Sequence, residues 1–258
     1  MGITFPLEIE ETILDLLAED DQGHSALKTC SLVCRAFLPI CRKHIFGSIV
    51  LNDHNLALPP TIHALERLLR ETPEIADYIR KLDYTFRIMN FTSSSIQAFE
   101  SLKLISRLKF LTVRHYHRGF NWSNNSIRPA LLHLLHLPTL THFKMSNIRN
   151  FVVSDLLPCV NLKYLEFARH TTVSTETTFP SALPEHSIQL DEFVAGKDTI
   201  STAIMKLCTA RRSDGQPIID FGSLPKISVF LITPNDGEAS QVLFKCCHAL
   251  TNVHISCK

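Results

Sequence analysis

Two hydrophobic rhythms divide the chain. Through "FPLEIEETILDLLAED", residues 5–20, apolar positions recur at helical spacing, and Ile9, Ile13, Leu16 and Leu17 share one face of an amphipathic helix of about three turns. Pro6 stands where a first helical turn tolerates it, and the acids that follow suit the positive end of the helix dipole. Gly23 and Ser25 punctuate and cap, Ala26 to Val33 predicts a second helix, and a third runs from about Arg35, strained or restarted at Pro39. Helices this short cannot bury all their apolar side chains among themselves. A partner, or the rest of the chain, has to cover the excess.

Beyond residue 47 the rhythm changes. The pattern apolar-x-x-apolar-x-apolar recurs as "FGSIVL", "IRKLDY", "LKFLTV", "LTHFKM", "LKYLEF", "LDEFVA", "ISVFLI" and "LTNVHI". Its central anchors are Ile49, Leu82, Leu111, Phe143, Leu165, Phe193, Phe230 and Val253, spaced 22 to 37 residues apart. Alternate residues of such a segment face one way along a strand, and a repeat of this period needs a return segment over the same core. Segments with helical apolar spacing stand between the strands: "TIHALERLLRETP", "SSSIQAFESLKLISR", "SIRPALLHLLHLP", "FVVSDLLPC", "KDTISTAIMKLC" and "DGEASQVLFKCCHAL". The expected architecture is a curved solenoid with parallel strands on its concave side. The competing one is a compact α/β domain in which the pattern recurs by chance, and the number of occurrences argues against it. The sequence closes on "LTNVHISCK" without a polar cap, so the solenoid is expected either to be cut short there or to pair with another molecule.

Composition narrows the function classes. Hydrophobic residues make up 45% and charged residues 20% of 258, enough for a sizeable core in one elongated domain or in a small domain followed by a larger one. A net charge of +1 supplies no global field for nucleic acid or an acidic membrane, so neither is expected as a partner. No apolar run reaches membrane-spanning length and the first residues do not read as a signal peptide, which points to the cytoplasm or nucleus. In that compartment the eight cysteines are expected to be reduced.

Candidate chemistry is sparse. Cys30, Cys34, Cys41 and His44 look at first like zinc ligands, but Cys41 stands seven residues, about 10 Å of continuous helix, beyond Cys34, and ligands of one ion sit within about 4 Å. Small buried apolar thiols are the better reading, with no metal and no cofactor. His133 and His136 form an i, i+3 pair without a third ligand. No nucleophile elbow, phosphate loop or zinc-protease helix occurs, so the chain is not expected to be an enzyme. The stretch 114–129, "RHYHRGFNWSNNSIRP", interleaves Arg114, Tyr116, Arg118, Phe120 and Trp122. It reads as a long inter-repeat loop anchored by its aromatics, or else as a contact loop for a partner.

One family matches the opening helices. The order "FPLEI", "ILDLL", an acidic turn and "LKTCSLVCRAF" resembles the F-box, with Val33, Cys34 and Arg35 at its Val-Cys-Arg signature and Phe37 in place of the usual Trp. Phe5 replaces the leading Leu, and "EDDQGHSA" is a slightly long connection. The wording is most similar to F-box-like proteins expanded in mushroom-forming fungi, and the later pattern is similar to the degenerate leucine-rich repeats that often follow an F-box. The resemblance implies an α+β chain, a three-helix F-box over 1–47 followed by a leucine-rich-repeat solenoid over 48–258. It further implies the substrate-receptor subunit of a Skp-cullin-F-box ubiquitin ligase. Phe5, Pro6, Leu7, Ile9, Ile13 and Leu17, with Leu32, Val33 and Phe37 behind them, would then face the Skp-type adaptor and through it the cullin. Residues such as Lys144, Lys163 and Glu166 would hold an unknown protein target. The alternative is a scaffold whose F-box helices only pack on the solenoid.

Overall fold

In a computed structural model, the residues described are 6–19, 23–53, 61–87, 92–116, 120–174, 186–196, 201–231 and 234–257. The fold is mixed α/β, with eight α-helices among the described residues and one large parallel sheet. Phe5 and Arg118 lie outside the described residues.

Helices α1 (Leu7–Glu19), α2 (Gly23–Val33) and α3 (Phe37–Phe46) enclose a small core of Leu14, Leu27, Ile40 and Cys41. The carbonyl of Pro6 accepts from the Ile9 and Glu10 amides and starts α1. Gly23 does more than punctuate: it is the first residue of α2, and a Cβ there would lie 2.0 Å from the Leu17 carbonyl oxygen. Only glycine lets α2 begin this close to α1. Pro39 falls in the first turn of α3, where its missing amide costs nothing, so the helix starts just before it without a break. His44 Nε2 meets Asp15 Oδ1 at 2.6 Å and ties α3 to α1.

Eight strands follow in a sheet whose spatial order is their chain order: β1 (Ser48–Asp53), β2 (Lys81–Phe86), β3 (Phe110–His115), β4 (His142–Ser146), β5 (Tyr164–Ala168), β6 (Glu192–Ala195), β7 (Lys226–Leu231) and β8 (Asn252–Cys257). All neighbouring pairs are parallel, and Ile49, Leu82, Leu111, Phe143, Leu165, Phe193, Ile227 and Val253 stand in one continuous rung. Seven of the eight expected anchors thus fall in register. The eighth is corrected: Ile227, not Phe230, occupies the rung, and a slip of three residues turns Phe230 to the opposite face. "LPKISV" satisfies the pattern as well as "ISVFLI" does, and Leu224 and Ile227 are both fully buried.

The same backbone device opens one repeat after another. The carbonyl of Gly47 accepts from the amides of Arg80 and Lys81, that of Arg80 from Lys109 and Phe110, and that of Lys109 from Thr141 and His142. The return segments α4 (Thr61–Glu71), α5 (Ser93–Glu100), α6 (Arg128–Leu135), α7 (Ser201–Thr209) and α8 (Pro234–Cys246) bury their apolar stripes in the same core as the rung. "FVVSDLLPC" departs from expectation, because Val153–Leu156 is a 3-10 turn. Past the strand ends the backbone turns through positive φ at Asn147, Asn150, Arg169 and His170 into short parallel pairs, Phe120–Asn121 with Ile148–Arg149 and Phe151–Val152 with Val173–Ser174. Buried rings link the repeats: Phe143 and Phe167 each contact Phe151, and Phe167, Phe193 and Phe221 follow edge to face. Burial of each such ring stabilises by about 2–3 kcal/mol.

Candidate functional site

Two surfaces stand out, one on each part of the chain. On the helices the apolar residues are split between inside and outside. Leu14 and Leu17 of α1 turn to the small core, while Ile9, Ile13 and Leu16, one turn apart in succession, face solvent. At the end of α2, Leu32 and Val33 are also uncovered, and these five side chains are between 45% and 87% exposed. Scattered exposed leucines need no explanation, but a stripe of this kind on so small a unit does. Among the residues implied to face an adaptor, Pro6, Ile9, Ile13, Leu32 and Val33 therefore lie at the surface. Leu17 and Phe37 are partly buried and serve the packing of the three helices. Leu7 begins α1.

The unit is seated on the sheet by charge and backbone. Arg42 of α3 pairs with Glu74 at 3.1 Å, and a cleft of about 640 Å³ remains beside that contact, lined by Glu11, Lys43, Asp77, Arg80 and Arg107 among others. Partial burial and the neighbouring Arg107 lower the pKa of Arg80, which donates to the Asp77 and Ile79 carbonyls.

The second surface is the sheet face turned away from the helices. Phe110, His142 and Tyr164 stand side by side in neighbouring strands, with ring centres 4.3 Å and then 5.5 Å apart. Burial lowers the pKa of His142 against the pull of Glu192 and Asp191, and Thr141 Oγ1 lies 2.8 Å from its Nδ1. Two residues further along the strands, Lys144 and Glu166 form an ion pair at 2.5 Å, and the Tyr164 hydroxyl donates to Glu166 at 2.6 Å. Glu166, one of the residues implied to hold a target and therefore to be exposed, is almost fully buried. Burial and the Glu166 carboxylate raise the Tyr164 hydroxyl far above the ordinary phenol range.

Two residues further again, the face sinks into a hollow of about 370 Å³ between Ser146, Ala168 and Gly196, rimmed by Arg114, Lys144 and Arg169. Arg114 also meets Asp83 at 3.1 Å. Gly196 passes so close to Ala168 that a Cβ on it would approach the Ala168 Cβ to 3.0 Å. No single position in this hollow is unusual in sequence. It forms because register brings small residues of three strands together, a coincidence that no spacing along the chain displays.

The loop aromatics divide. Tyr116 is exposed, with the Arg87 guanidinium 6.0 Å above its ring. Phe120 and Trp122 are fully buried, so neither is open to a partner. Trp122 Nε1 donates to Asp155 Oδ2 at 2.6 Å, and Arg128 clamps both oxygens of the same carboxylate. Phe120 and Trp122 are anchors, and Tyr116 is an aromatic of this loop left at the surface.

The thiols divide: Cys41 and Cys30 serve packing, whereas Cys34, expected to be a small buried thiol, lies exposed just past the end of α2. Cys41 is fully buried, Cys30 partly buried and Cys34 exposed, and among the described residues no three His, Cys, Asp or Glu side chains gather as a metal site requires. Burial, then the neighbouring Cys246 and Cys247, push the Cys208 thiol up to about 12, far from the reactive range. No helix among the described residues is long and apolar enough to cross a membrane.

No protein-family model matches the chain, and no curated protein matches it either.

Proposed function

We propose that the chain is a recruitment subunit: an F-box-like unit over 1–47 docks on a Skp-type adaptor, and a degenerate leucine-rich-repeat sheet over 48–258 holds a protein for ubiquitylation. The observation that carries the reading is the stripe of Ile9, Ile13 and Leu16 with Leu32 and Val33. These side chains are uncovered although the same helices own a core and the sheet lies next to them. Apolar anchors on a small helical unit are what a high-affinity docking contact is made of. The in-register parallel repeats supply the second half, a broad face that presents side chains in rows. Such a subunit works by effective concentration, holding its target beside the ubiquitin-loaded enzyme, and needs no reacting group of its own.

A pull-down with the tagged chain from cell extract tests the reading. Recovery of both the adaptor and a cullin is the expected result. Recovery of the adaptor alone moves the chain to an adaptor-bound role outside the ligase, and recovery of neither leaves the scaffold reading.

A further inference from the structure

The open face of the sheet has a built geometry of its own. The ring ledge of Phe110, His142 and Tyr164 stands at the start of β3, β4 and β5, and the hollow at Ser146, Ala168 and Gly196 lies at the far ends of β4 and β5 and just past β6, four residues further along the shared strands. At about 3.3 Å per residue the two are about 13 Å apart, which is the span between side chains i and i+4 of an extended peptide, both on one face. The backbone at the rim adopts a costly conformation to form the hollow. Arg169 and His170 have φ of 40° and 38°, a left-handed region that non-glycine side chains disfavour by about 1 kcal/mol or more each. The turn they make leaves Arg169 lining the hollow beside Arg114.

Charge decides what fits. Arg114, Lys144, Arg169 and Glu166 line the hollow; Glu166 is held by Lys144 and Asp83 by Arg114, so the first two cations are partly neutralised through their ion pairs. The five groups leave a surplus of one positive charge. A single carboxylate balances it; a phosphate dianion would leave the half-enclosed site negative.

We infer that this face binds an extended segment of the recruited protein, with an aromatic or large apolar side chain on the Phe110–His142–Tyr164 ledge and, four residues on, an Asp or Glu carboxylate in the hollow between Arg114 and Arg169. The inference deepens the reading of the sheet as the target-holding surface. Because its test uses the chain without an adaptor, either can fail alone.

The probe is a fluorescein-labelled peptide, Gly-Ser-Phe-Thr-Val-Thr-Glu-Ser-Gly, titrated with the whole chain in an anisotropy assay. The wild-type chain binds it, and replacing the peptide's Glu by Gln weakens binding at least about tenfold, the loss expected when a charged hydrogen-bonded partner becomes neutral. Moving the Glu one residue closer to the Phe weakens binding as much, because the carboxylate then points to the other face of the strand. In the chain, Arg169→Gln and Phe110→Ser each reduce affinity, and Arg169→Glu restores binding to a peptide with Lys in place of Glu. Urea unfolding of each variant confirms that it is folded. Equal binding of the Glu and Gln peptides, tighter binding of a peptide with phosphoserine in place of Glu than of the Glu peptide, or no binding of the Glu peptide at millimolar chain would each overturn the inference.

Discussion

The helical unit and the sheet treat the same kind of side chain in opposite ways. In the sheet, Leu82, Leu111, Phe143, Leu165, Phe193 and Ile227, the inner six of the eight rung residues, are all fully buried, each layered between its neighbours; Ile49 at one end is partly buried and Val253 at the other is half exposed. In the helices, four fully buried apolar residues coexist with five large uncovered ones. Burial of those five would contribute about 1.5–3 kcal/mol apiece, so leaving them in water is a cost to the isolated unit that a partner can recover. The rung of the sheet is closed up to its last strand, whereas the helical unit leaves five large apolar side chains in water, which is the contrast the proposed docking would explain.

The contrast is broken most forcefully from the sheet side. Phe143→Ala removes a fully buried ring at the centre of the rung and is expected to destabilise by about 3–5 kcal/mol, read as a lower denaturant midpoint. Next comes Asp155→Asn. It keeps an acceptor for Trp122 but loses the charge that Arg128 grips through both oxygens, and is expected to cost about 2–3 kcal/mol. A smaller effect belongs to His142 on the open face. Burial holds its pKa below the ordinary value of about 6.5, so as pH falls the unfolded chain takes up the proton first. The stability tied to the neutral ring is present above about pH 6.5 and is lost as pH drops through the unfolded and then the folded pKa. His142→Gln should flatten the fall in melting temperature below that pH. The smallest effect is predicted on the helices: Ile13→Ala and Leu32→Ala should change stability by no more than about 0.5 kcal/mol, because neither side chain has a packed environment to lose. A large loss at either position would mean that the stripe is covered by the chain itself.

What could be seen beforehand follows from the range of the interactions. Helices α1 to α3 are legible because apolar spacing and the glycine and proline signals are local, and the strands are legible because alternate residues of a half-buried strand must be apolar. Where two overlapping matches occurred, at Leu224 to Ile232, local pattern could not choose between Ile227 and Phe230, and only lateral pairing with β6 and β8 decides. The return segment at Val153–Leu156 carries helical spacing yet is too short to hold more than a 3-10 turn. Side-chain fate was the least visible property. Phe120 and Trp122 read as anchors in preference to contacts, but what buries them is Phe86, Phe151 and Asp155, which are distant in sequence. The hollow at Ser146, Ala168 and Gly196 has no sequence signal at all, since each residue contributes only by being small at the right height of the sheet.

The proposed docking of the uncovered helical stripe on a Skp-type adaptor is open to a decisive experiment. Titration calorimetry of the purified chain with purified adaptor tests it most directly. The wild type is expected to form a one-to-one complex, and that complex is lost in Ile13→Asp and in Leu32→Asp while both variants keep the wild-type unfolding midpoint and Lys144→Ala binds normally. Unchanged binding in the two Asp variants, or no heat of binding with the wild-type chain, would contradict it.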